Sequence, residues 1–135
     1  VPSTNEAIAR NSLAGWALLD MDRMVEGWAA GVVWDMSPYR PAWPGPAEYV
    51  GVPAILVFLA EWLARWETQS LWPEEFVEGQ DCLVVILGRH GVVRATGTEV
   101  DRRWAQLWTF RDGEVTRIAN YSDPDEARAA LAAGV

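Results

Sequence analysis

The chain has 135 residues, a formal charge of −8 and a single cysteine, Cys82. That length suits one domain, 1–135, large enough to bury a core without staples. The acidic balance works against nucleic-acid or anionic-membrane partners, and one cysteine excludes an intrachain disulfide or a cysteine-built metal site. No apolar run approaches a membrane span and no signal peptide is visible, so a soluble cytoplasmic protein is the expectation. Nine tryptophans need housing, and a pocket or a dimer interface would take some of them.

Taken in order, Ser3 or Thr4 can cap a helix running to about Leu18, with Glu6 in its favourable first turn. Ile8, Ser12 and either Gly15 or Trp16 share one weakly apolar face, which suits a helix lining a cavity or one packed tightly. Asp20-Met21-Asp22 restarts a short helix that points Met24, Val25 and Trp28 inward and ends at Gly31. Val32–Met36 reads as a short strand, and Ser37–Pro46 as a proline-rich loop. Pro53 opens the strongest helix, where Ile55, Leu59, Trp62 and Trp66 recur at helical spacing. Pro73–Glu78 reads as a short acidic edge strand or extended segment. Cys82–Leu87 is a continuous apolar strand, with Arg89-His90-Gly91 marking a turn back.

Thr98–Phe110 is a long strand, followed by a tight turn at Arg111-Asp112-Gly113-Glu114 and a second strand, Val115–Tyr121. Asp-Gly between two β-rich runs is a strong hairpin signal. Strand alternation puts Trp104, Gln106, Trp108 and Phe110 on one face. A glutamine within an aromatic row suits an apolar pocket wall that carries one polar group. Asp123 caps the last helix, with Pro124 at its first position, Glu126 closing the capping box and Gly134 stopping it.

This order predicts an α+β fold in which a curved, mostly antiparallel sheet wraps the N-terminal helices. Asp20-Met21-Asp22, Val33-Trp34-Asp35, Tyr49-Val50-Gly51, Trp108–Val115 and Tyr121-Ser122-Asp123 together resemble the SnoaL-like branch of the nuclear transport factor 2-like superfamily. The resemblance covers nearly the whole chain. It implies a cone-shaped fold with an internal apolar pocket, and a homodimer formed through the exposed sheet face that would cover residues such as Leu107. It does not single out an activity, because this superfamily hosts enzymes, binding proteins and assembly domains.

Asp35 is the first candidate catalytic residue. It ends a strand where the related ketosteroid isomerases place a general-base aspartate, and an apolar pocket would raise its pKa toward neutrality. The alternative is a loop cap bonded to backbone amides. Those isomerases also use a tyrosine on the first helix and a protonated aspartate on the long strand. Here the first helix has no tyrosine and the strand position matches Gln106, which disfavours steroid isomerisation. Gln106 is either a neutral donor to a ligand or a satisfied amide in the sheet face. Asn120 matches a catalytic aspartate of limonene-type epoxide hydrolases, but an amide cannot be a base. It either orients a water or ligand carbonyl, or bonds toward Asp123.

Trp16, Tyr39, Arg40, Trp104, Trp108 and Ile118 are the expected substrate-binding residues, with Tyr39 and Arg40 able to form a lid. Trp62 and Trp66 read as helix core, Arg102 and Arg103 as a solvated or dimer-facing edge, and His90 as an exposed loop tip. No cofactor is expected, and no His/Asp/Glu spacing predicts a metal site. Three functions remain open at this point. One is a cofactor-independent isomerase, lyase or hydrolase in which Asp35 moves a proton on a small, mostly apolar substrate. The others are a non-catalytic ligand-binding protein and a dimeric interaction domain.

Overall fold

The computed structural model describes residues 3–39 and 44–134. The chain runs α1 (Thr4–Ala17), α2 (Met21–Met24), β1 (Trp28–Asp35), β2 (Glu48–Val50), α3 (Val52–Leu63), β3 (Trp66–Gly79), β4 (Cys82–Val93), β5 (Glu99–Arg111), β6 (Glu114–Tyr121) and α4 (Pro124–Ala132). Short polar side chains start the outer helices. Ser3 accepts from the Glu6 amide at 3.1 Å and Asp123 from the Asp125 amide at 2.9 Å, each satisfying a donor that the first turn leaves unpaired.

The strands form one open, mixed sheet in the order β2-β1-β6-β5-β4-β3, parallel only between β1 and β6. Both faces of the sheet carry buried side chains, because helices pack against each. On the inner face Leu83, Val85, Leu87, Trp104, Trp108 and Ile118 join residues of α1 and α3 in the larger core. On the outer face Val84, Ile86, Ala105, Leu107 and Ala119 meet Ala127 and Leu131 of α4. Leu107 is therefore covered within one chain and needs no second copy to bury it.

Three expected boundaries move. The second helix stops at Met24, and Gly27, at φ +80°, turns the chain into β1. Trp28 and Gly31 thus belong to a strand, because Met24, Val25 and Trp28 fit a helical stripe only as long as the helix continues. The α3 helix ends at Leu63, with Ala64 as its cap, so Trp66 opens β3 although its spacing from Trp62 is helical. Arg89-His90-Gly91 is no turn. It continues β4 opposite Leu71, Ser70 and Gln69 of β3. The acidic stretch is an edge strand as expected, but longer, and it accommodates Pro73 at a register shift on the sheet's open edge.

Candidate functional site

The inner face of the sheet and the three N-terminal helices enclose a cavity of about 370 Å³, within the ordinary range of ligand pockets. Its wall is aromatic. Trp16 comes from α1, Trp28 and Trp34 from β1, Phe58 and Trp62 from α3, and Trp104 and Trp108 from β5. The rings brace one another. Trp16 and Trp62 lie 5.7 Å apart, and Trp28 meets Trp108 edge-on at 6.1 Å and 81°, a favoured arrangement of aromatic quadrupoles. Tyr39 and the exposed Pro44 and Arg102 also line the cavity, which places its mouth beside the loop that follows β1.

A chain of buried amides crosses the inner wall. The Trp108 indole donates to Gln106 Oε1 at 3.0 Å, and Gln106 Nε2 donates to Asn120 Oδ1 at 3.0 Å. Asn120 Nδ2 then contacts the Asp35 and Ile118 carbonyls at 3.4 and 3.5 Å. An indole can only donate and a carbonyl can only accept, so both ends of the chain dictate which way each amide faces. The second Gln106 N–H is left over, on a residue that lines the cavity. On the α1 side, Ser12 Oγ accepts from the Trp28 indole at 3.1 Å and keeps its own hydroxyl proton for another acceptor.

Asp35 sits where β1 ends, as expected of its position in the chain, but it does not line the cavity. Alternation puts Trp34 and Met36 on the inner face and turns the Asp35 carboxylate to the other. There it accepts from the Ser37 amide at 2.8 Å and stands 3.3 Å from Arg117, which also pairs with Glu48 at 2.5 Å. That geometry is the loop cap. Asn120 bonds the Asp35 backbone rather than the Asp123 region.

Of the expected ligand-binding residues, Trp16, Tyr39, Trp104 and Trp108 come together on the lining. Ile118 does not. It is the cross-strand partner of Trp108 and is wholly enclosed in the core. Arg40 lies outside the described residues. His90 is on a strand, bonded to Asp101 at 2.7 Å.

Two arginines on the lining escaped the sequence reading. Arg89 follows Leu83, Val85 and Leu87 by strict alternation, a signal hidden by ending that strand at Leu87. Its guanidinium carbon lies 4.9, 5.0 and 5.2 Å from the rings of Trp62, Trp66 and Trp104. Burial pulls its pKa below the ordinary arginine value. The Tyr39 hydroxyl opposes that shift and neighbouring Arg102 adds to it. Arg102, by its sequence a solvated or dimer-facing edge, is exposed and also lines the cavity. Among the described lining residues there is no carboxylate and no histidine.

A family model described as a SnoaL-like domain matches residues 9–118. No curated protein matches the chain. Among solved structures, TerC co-crystallised with polyporic acid is similar at 26% identity, covering 96% of this chain and 98% of that one, with a TM-score of 0.78. An NTF2-like protein of unknown function from Burkholderia pseudomallei is similar at 21% identity, with 96% and 98% covered and a TM-score of 0.77. A Mycobacterium tuberculosis protein in complex with estradiol-17beta-hemisuccinate is similar at 18% identity, with 92% and 97% covered and a TM-score of 0.74.

Proposed function

The chain belongs to the SnoaL-like domain family, and from that premise we propose that it binds a flat, mostly apolar small molecule in the aromatic cavity. One observation carries this reading. A cavity walled by seven aromatic side chains from α1, β1, α3 and β5 carries a polar group, Gln106, whose orientation is dictated and whose second N–H is unspent. Apolar walls hold a ligand and a few convergent polar groups orient it. The polyporic acid in the TerC structure supports a pocket that takes an organic molecule.

Binding fits the geometry better than proton transfer. A general base has to reach the proton it abstracts, and the Asp35 carboxylate is engaged with Ser37 and Arg117 away from the lining. In this reading Asp35 shapes the rim of the cavity and Gln106 donates to a ligand carbonyl or hydroxyl.

Tryptophan fluorescence and thermal shift against small apolar carbonyls, epoxides, lactones and steroids test the proposal, using wild type and Asp35→Asn. The expected result is a ligand bound equally by both proteins and consumed by neither. Consumption by wild type alone would restore Asp35 as a base. Failure of every compound to bind would remove the pocket reading.

A further inference from the structure

Arg89 and Arg102 face each other directly across β4 and β5, and both line the cavity. Like charges opposite one another on adjacent strands repel. Some other arginines stand beside acids: Glu74 lies 2.6 Å from Arg103, Glu75 3.0 Å from Arg128, and Glu6 2.8 Å from Arg10, while Arg23 bonds to Asn11 and Arg94 to the Ala64 and Trp66 carbonyls. With 19 acidic residues against 11 basic ones, carboxylates are in ample supply. Yet among the described residues no ion pair reaches Arg89 or Arg102. Arg89 Nε is moreover buried without a hydrogen-bond partner, as is the Trp16 indole N–H across the cavity. The Trp62, Trp66 and Trp104 rings surround the Arg89 cation. They stabilise its charge through their faces but offer its N–H groups no oxygen.

We propose that Arg89 and Arg102 form an anion subsite and that the ligand of this cavity is a flat aromatic or polycyclic molecule carrying a carboxylate. This rests on reading the cavity as a ligand pocket. Two unpartnered buried groups, the Trp66 indole N–H and Gln69 Oε1, lie off the lining. Those on it, Arg89 Nε and the Trp16 indole N–H, are both donors, so the missing partner is an acceptor, and two facing cations make it an anionic one. A guanidinium presents a planar fork that a carboxylate matches with two parallel hydrogen bonds. The ligand's rings then lie along the tryptophan wall, with the carboxylate toward the mouth marked by Arg102.

Matched pairs test this directly: naphthoic, anthracenecarboxylic and biphenylcarboxylic acids against their methyl esters, titrated by tryptophan fluorescence at neutral pH, where the acids are ionised. Wild type is expected to bind at least one acid about tenfold more tightly than its ester, the scale of one charge-assisted hydrogen bond. Arg89→Gln should erase that preference, read as the ratio of acid to ester affinity within the one variant. Arg89→Lys retains the charge without the fork and should lose most of the preference. Arg102→Gln, at an exposed position that folding tolerates, should lower the ratio of acid to ester affinity. Equal affinity of acid and ester in wild type overturns the anion subsite and leaves the pocket reading standing. So does a preference that survives replacement of both arginines. If no acid and no ester binds, the pocket reading falls and the subsite falls with it.

Discussion

At the scale of single residues, Gln106 serves two buried partners at once. Its Oε1 satisfies the Trp108 indole and its Nε2 satisfies Asn120 Oδ1. Leucine fills similar space but strands both. Each buried polar group left unpaired costs about 1–3 kcal/mol, so Gln106→Leu should lose roughly 2–6 kcal/mol in urea denaturation. A loss below about 0.5 kcal/mol, the level of a neutral surface change, would mean that the amide chain is not made. The glutamine was visible in the sequence as the odd member of an aromatic row, because alternation along a strand needs no tertiary information. Its partner was not. Residues 14 positions apart meet only once β5 and β6 settle into register.

At the scale of elements, the site depends on where β3 and β4 begin and end. The Trp66 ring packs against Gly91. A methyl group there would come within 2.6 and 2.7 Å of the ring and 3.1 Å of the Thr68 carbonyl. Gly91→Ala therefore displaces Trp66, whose ring packs beside Arg89 and lies 5.4 Å from that of Trp62. Overpacking of this kind costs about 1–3 kcal/mol. The loss should shrink markedly in a Trp66→Ala background, since the two positions share one contact and their effects cannot add. Equal losses in both backgrounds would place the strain in the backbone instead. Glycine next to histidine resembles a turn, and Trp66 four residues after Trp62 resembles a helix. Both resemblances are local, and the pairing of two long strands overrides them.

At the scale of the whole molecule, the outer face of the sheet governs behaviour in alkali. Burial pushes the Cys82 thiol up from its ordinary value of 9.0, with Asp81 and Glu78 adding to the shift. Burial, then Asp35 and Glu126, pushes the Tyr121 phenol up from 10.0. Both groups hold their protons longer in the native state than in the unfolded chain. Their contribution to stability is thus complete below about pH 9 and is lost as pH rises above that, first through Cys82 and then through Tyr121. Urea midpoints measured across this range should fall, and Cys82→Ala should flatten the first part of the decline. An unchanged slope in that variant would assign the loss to other groups. The sequence by itself determined the α+β class, the hairpin at Asp112-Gly113, the helix caps and the inward row of Trp104, Gln106 and Trp108. Each is encoded within a few neighbouring residues by alternation, φ preference or capping chemistry. Only the tertiary structure decided that Asp35 turns away from the cavity, that Trp28 and Trp62 line it, and that Arg89 and Arg102 face one another across it. Those outcomes depend on strand register and on which helix covers which face, and they are set by burial summed over distant parts of the chain.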